Sequence, residues 1–157
     1  MNNLVTFLES AGCFEKNHSG HTLGEHLINT STILEAVDAP EDVVLAGGLH
    51  SIYGTNAFKT SIKAESDRDM IANLFGSQTE RLAFIFGRIE RPTALENLPE
   101  VGGVVHDRIS GAAYGVTARE LWGLRLIEAA NLLEQGSNLD RFPAIAKTME
   151  DQLKVAS

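Results

Sequence analysis

Histidines are the residues of this chain whose type and spacing could carry chemistry. There are 5 of them in 157 residues. His18, His21, His26 and His50 fall within residues 18–50, and His106 stands apart. An imidazole titrates near neutrality, so it offers a general acid or base, or a neutral nitrogen for a transition metal. The only cysteine, Cys13, leaves no room for an intrachain disulfide framework or a thiolate-rich zinc site.

The elements that must position these rings are helical. Leu4, Phe7, Leu8 and Ala11 recur at helical spacing over Asn3 to Ala11, with Gly12 as the stop. His18 and His21 sit in a polar loop just after it. Thr22 and Glu25 form a capping box, which predicts a helix to about Val37. Pro40 suits the first turn of the next helix, predicted to run to about Tyr53. Gly47 and Gly48 inside it cost about 1 kcal/mol each, so the pair implies close helix packing or room for a ligand. His26, Thr30, Ile33 and Val37 form one stripe; Val43, Gly47, His50 and Gly54 form another. If the two helices pack antiparallel, His26 and His50 meet at the same end and could ligate a metal. A single inward histidine is otherwise a hydrogen-bonded core residue.

Further helices are predicted over Asp67 to Phe75, from a second capping box at Ser77 to Glu80 up to about Glu90, from a third box at Thr117 to Glu120 up to Gly136, and over Phe142 to Val155. VGGVVHDRISGAAYGVT reads as a short β-hairpin or a Gly-rich loop. The expected fold class is all-α, a single domain over 1–157 of six or seven helices with that one small hairpin. Tyr53, Thr55 and Asn56 follow His50 where its helix should unwind, and their polar tips could line a pocket mouth. The alternative is a tyrosine anchor followed by a Gly54 cap. His106-Asp107 reads as a solvated hairpin pair or as an oriented imidazole. Arg88, Arg91, Lys59 and Lys63 could complement a phosphate but read as solvated surface residues, and Cys13 reads as a structural thiol.

The balance of 13 basic and 21 acidic residues gives a charge of −8. That argues against nucleic-acid partners and anionic membranes. No apolar run approaches a membrane span, and MNNLVTFLES lacks the basic start of a signal peptide. The expectation is a cytoplasmic protein acting on a small molecule, with a homo-oligomer left open. There is no nucleophile elbow, P-loop or dinucleotide fingerprint.

At the histidines the sequence resembles the HD-domain superfamily, helical metal-dependent phosphohydrolases, and most nearly the Rel/SpoT-type guanosine tetraphosphate hydrolases. NHSGHTLGEHL, with Ser19-Gly20 and His26, is similar to that family's first motif. AGGLHSIYGT, with Leu49-His50, is similar to the second. EAANLLE, with Ala130-Asn131, is similar to a later Ala-Asp-Leu segment. Residues 50–58 also fit an HS-x-YGT-xx-F pattern of an HD-like group. The resemblance implies an HD-like helical bundle and a metal-dependent hydrolase or lyase. Its departures are specific: Ser51 stands where the namesake aspartate belongs, Asn131 replaces the later one, and Gly54 and Thr55 replace an acidic pair. Manganese favours carboxylate oxygens, so these losses weaken a manganese site. Three alternatives follow. His18 and His21 could join His26 and His50 around zinc, iron or manganese. Asp107 or Glu128 could enter from elsewhere. Or no metal binds, and the histidines do acid–base chemistry or line a non-catalytic pocket for a small ligand or protein partner. In the enzymatic reading His26, His50, Tyr53 and Thr55 are catalytic, and Ser51, Asn56 and Asn131 bind substrate.

Overall fold

The computed structural model describes every residue except Ser19. The described residues form eight α-helices: α1 (Asn2–Ser10), α2 (Leu23–Ala36), α3 (Glu41–Leu49), α4 (Arg68–Phe75), α5 (Ser77–Arg88), α6 (Thr93–Glu96), α7 (Ala118–Glu134) and α8 (Pro143–Ala156). Two small antiparallel sheets join them, so the fold is mostly helical rather than purely all-α. β1 (Asn17–His18) pairs with β2 (His21–Thr22), setting His18 opposite His21. β3 (Gly102–His106) pairs with β4 (Ala113–Thr117), the hairpin that the glycine and valine pattern predicts. Among the described residues no helix is long and apolar enough to cross a membrane.

The centre is α7. Its buried face runs unbroken from Leu124 to Asn131, as expected of a helix packed on several sides. α2 and α3 pack against it and each other, α5 closes on α3, and α8 covers the far side. Arg125 sits inside this core because its guanidinium donates to the Leu95 and Leu98 carbonyls and to Glu100. A second apolar cluster joins Leu4 and Leu8 of α1 to Leu23, Leu27, Leu49, Ile71 and Phe84.

Local chemistry sets the ends. Thr22 and Glu25 exchange hydrogen bonds at the start of α2, and Thr117 and Glu120 do so at the start of α7. The predicted box at Ser77 does not form. Gly76 starts α5, and Glu80 instead takes bonds from Tyr53 and Arg68. α3 stops at Leu49, four residues short of expectation, and the chain turns through His50 to Gly54, where φ is 78°. α6 and the β1–β2 pair had no clear signal: each is too short to show a period.

The two α3 glycines mark close packing. A Cβ at Gly47 would lie 2.2 Å from Leu34 Cδ1, and one at Gly48 would lie 2.3 Å from Leu4 Cδ2. Gly87 is more demanding, because a Cβ there would lie 2.6 Å from the Gly54 carbonyl oxygen, which is backbone. Gly87→Ala is therefore expected to cost about 1–3 kcal/mol of unfolding free energy in urea titrations. Gly115→Ala, with nothing within 4 Å of the new methyl, should stay within about 0.5 kcal/mol. Equal losses would contradict this account of the Gly87 contact.

Candidate metal centre

The four histidines of residues 18–50 converge. α2 and α3 run antiparallel, so His26 in the first turns of α2 meets His50 at the C-terminal cap of α3. His26 is 0% exposed and His50 1%. Their Nε2 atoms lie 3.2 Å apart. His18 stacks on His26 with ring centroids 4.3 Å apart and planes 16° from parallel. His21 is half-buried, its ring centroid 6.2 Å from that of His26.

The outer nitrogens are tied to acceptors. His50 Nδ1 lies 2.6 Å from the Gly47 carbonyl oxygen. A carbonyl only accepts, so that nitrogen carries the hydrogen. His26 Nδ1 donates to the Glu134 carboxylate at the end of α7. The other oxygen of Glu134 lies 2.8 Å from His21 Nε2 and 3.2 Å from the Asn29 amide nitrogen. With both Nδ1 atoms protonated, two Nε2 lone pairs face each other unless a proton or a cation sits between them.

Burial makes an extra proton costly. It pushes the pKa of His50 well below the usual imidazole value, and the neighbouring His26 adds to the shift. Burial also lowers His26, with Glu134 and the Asn131 side chain pulling the other way. His18 is lowered by burial and then by His26. Burial would raise Glu134, but hydrogen bonds from His26, Asn29 and His21 outweigh it and keep the carboxylate ionised.

The geometry fits a metal. Two nitrogens at 2.0–2.1 Å from one tetrahedral ion lie about 3.3 Å apart. The outer bonds match the arrangement that orients ligating histidines, one ring held by a carboxylate and the other by a backbone carbonyl. A second grouping exists on the opposite side of His26: ligand atoms of His21, His26 and Glu134 lie within 4.8 Å of one another. Those atoms already hydrogen-bond among themselves.

A cavity of about 400 Å³ opens beside the rings. Its lining includes His18, Ser51, Thr55, Asn56 and Asn131, together with Arg91 and Glu128. Ser51 and Thr55 are buried, and Thr55 Oγ1 accepts a bond from the Phe58 amide, so it also holds the turn. Asn56 donates to the Arg91 carbonyl and to Glu90. Tyr53 does not line this cavity. Its hydroxyl donates to Glu80 from the second apolar cluster, and burial raises its pKa. A larger groove of about 860 Å³, between the start of α1 and the α4–α5 junction, holds none of the histidines. Ser19 of the NHSGH loop lies outside the described residues.

Sequence reasoning missed Glu134 and Asn29. Each had a signal: Glu134 lies one turn beyond Asn131 on α7, and Asn29 one turn beyond His26 on α2. It also placed Arg88 and Arg91 on the surface. Both are instead nearly buried against distant carboxylates, Asp107 and Glu128. Cys13 is buried, which pushes its thiol up to about 11 and makes it inert.

His106 and Asp107 point apart. His106 is exposed, while the Asp107 carboxylate is buried and accepts from Arg88, Tyr114 and the amides of Ile109 and Ser110. Burial alone would raise its pKa. The amides and Arg88 overcome that and lower it to about 2. A depressed carboxylate stabilises the fold above its unfolded value near 4, and this is lost as pH falls toward 2. Asp107→Asn should therefore cost about 2 kcal/mol near pH 5, with the gap to wild type narrowing toward pH 2.5 in urea titrations. A gap independent of pH would contradict this.

Residues 7–91 match a family model described as Domain of unknown function (DUF6817). No curated protein and no solved structure matches the chain.

Proposed function

The chain belongs to the DUF6817 family, and from that premise we propose that it is a metal-dependent enzyme, a hydrolase or lyase acting on a small molecule in the cavity beside His18. One observation carries the reading: two buried Nε2 atoms 3.2 Å apart, each on a ring whose Nδ1 is already committed to an acceptor. The resemblance of residues 17–56 to HD-domain enzymes supports it from the sequence side.

His26 and His50 would hold the ion. His18 stacks flat on His26, so its ring would have to turn for it to serve as a third nitrogen source. A nitrogen-rich set suits zinc, iron or copper better than manganese. Such an ion would supply Lewis acidity. Glu134 holds the His26 ring in place, and the Gly47 carbonyl holds His50. Ser51 and Asn131 stand at the cavity wall, where the aspartates of the HD pattern would be, and offer neutral hydrogen bonds to substrate. Phe86, with its ring centroid 5.2 Å from that of His50, keeps water from the far side of that ring.

The neutral residues at Ser51 and Asn131 favour one other reading, a non-catalytic HD-like module that keeps the cavity and binds a ligand without turnover.

Elemental analysis of the purified, zinc-reconstituted chain tests the proposal. About one ion per chain is expected, and His26→Ala and His50→Ala should each abolish it. Glu134→Gln should retain the ion with roughly 10–100-fold weaker affinity, as for an orienting partner. Loss of metal in His21→Ala and Glu134→Gln, with His50→Ala unaffected, would place the ion on the opposite side of His26. A chain that takes up no ion, with unfolding unchanged by chelator, would overturn the metal reading and leave the module.

A further inference from the structure

The β3–β4 hairpin lies outside the histidine site and leaves apolar side chains in solvent. Val101, Val104 and Ile109 are 81%, 57% and 63% exposed, and His106 is exposed beside them. Charged residues make up 22% of the chain, yet residues 101–117 hold only Asp107 and Arg108. Both are committed within the chain, Asp107 to Arg88 and Tyr114, and Arg108 to the Gly87 carbonyl. Exposed sheet edges ordinarily carry lysine, other free charges or proline, which keep a second strand from adding. This hairpin carries none of them.

The alternation of an antiparallel ladder identifies the free backbone groups. The Asp107 amide donates to the Ala112 carbonyl. By alternation Val105 and Tyr114, and Gly103 and Val116, are the other bonded pairs of the register, so the backbone groups of Val104 and His106 turn away from β4. On the outer edge of β4, the Gly115 carbonyl accepts from Arg81 at 2.6 Å and the Thr117 amide donates to Glu120. On the outer edge of β3, the Gly102 amide donates to the Pro99 carbonyl and the Arg108 amide to the Arg88 carbonyl. Between those two closed ends, the amides and carbonyls of Val104 and His106 have no partner among the described residues.

We propose that the β3 edge is the interface between two copies of this chain, paired antiparallel into one four-stranded sheet. The edge matches itself in one register. A two-fold axis at Val105 sets Val104 opposite His106 of the second copy, and each such pair exchanges its two amide–carbonyl bonds. The Val104 side chain then packs beside the imidazole of the second copy's His106 on the open face of the sheet. The same register sets the end of β3 that follows Glu100, a side chain 71% exposed, against the end that precedes Arg108 of the second copy. The two ends carry opposite charge and attract. This self-match in both backbone and charge favours a second copy over an unrelated strand. The contact is short, so the dimer is weak and concentration-dependent. It stands apart from the metal reading, since none of its residues belongs to the histidine cluster around His26.

Sedimentation velocity of the full chain tests this, run in chelator so that no ion bridges His106 between copies. The chain should sediment as a monomer at about 10 µM and shift toward a dimer by about 1 mM. Val104→Lys places on the edge the residue that ordinarily blocks one, and should weaken association about tenfold or more. Val104→Pro removes an N–H that the hairpin itself does not use, and should abolish association. If the proline variant does not fold, the lysine variant decides. Val155→Lys, at the exposed end of α8, should leave association unchanged. Amide exchange followed by NMR should show Val104 and His106 gaining protection as concentration rises. A monomer at every concentration would overturn the proposal, as would a dimer whose Val104 and His106 amides exchange as fast as in the monomer.

Discussion

Two imidazole nitrogens 3.2 Å apart in a region sealed from water cannot both be bare acceptors. Their lone pairs repel, and the cost grows as the local dielectric falls. The usual relief is for one ring to change tautomer. Here neither can do so cheaply. Turning His50 to its other tautomer would aim a lone pair at the Gly47 carbonyl, and turning His26 would aim one at the Glu134 carboxylate. The structure holds both rings in a state that asks for a positive charge between them. Much of the rest of the fold can be traced to the need to hold it.

That need explains several otherwise costly features. α3 keeps Gly47 and Gly48 despite their helix-breaking cost because Leu34 and Leu4 fill the space where their side chains would be. The close approach puts the end of α3 against the start of α2. The early stop of α3 then frees the Gly47 carbonyl for His50. α7 carries Glu134 at its last turn to reach both His21 and His26, and Asn131 one turn earlier to reach the cavity. The Arg91–Glu128 pair is buried, and removing either partner alone would cost about 3–5 kcal/mol.

Much of this was legible in the sequence because it rests on local rules. The Thr22 and Thr117 capping boxes, the Gly136 stop and the hairpin between Gly102 and Thr117 each follow from side-chain spacing of a few residues. The meeting of His26 and His50 followed from two stripes and an antiparallel assumption. What stayed hidden depends on partners far apart in the chain. Glu134 lies 108 residues from His26, and no periodicity links them. Glu80 fits a capping box by sequence but is captured by Tyr53 and Arg68, whose positions only tertiary packing sets. Tyr53 was misplaced for the same reason. Arg88 and Arg91 looked solvated because their carboxylates lie on other elements.

The claim on which the account turns is that His26 and His50 share one cation through Nε2 while both Nδ1 atoms keep their hydrogens. Long-range ¹H–¹⁵N spectra of the histidine rings read this directly. With one equivalent of zinc, both rings should appear as the Nδ1–H form, with both Nε2 signals moved to metal-bound positions. Persistence of an Nε2–H on either ring in excess zinc, or movement of the His21 Nε2 signal while His50 stays fixed, would contradict it.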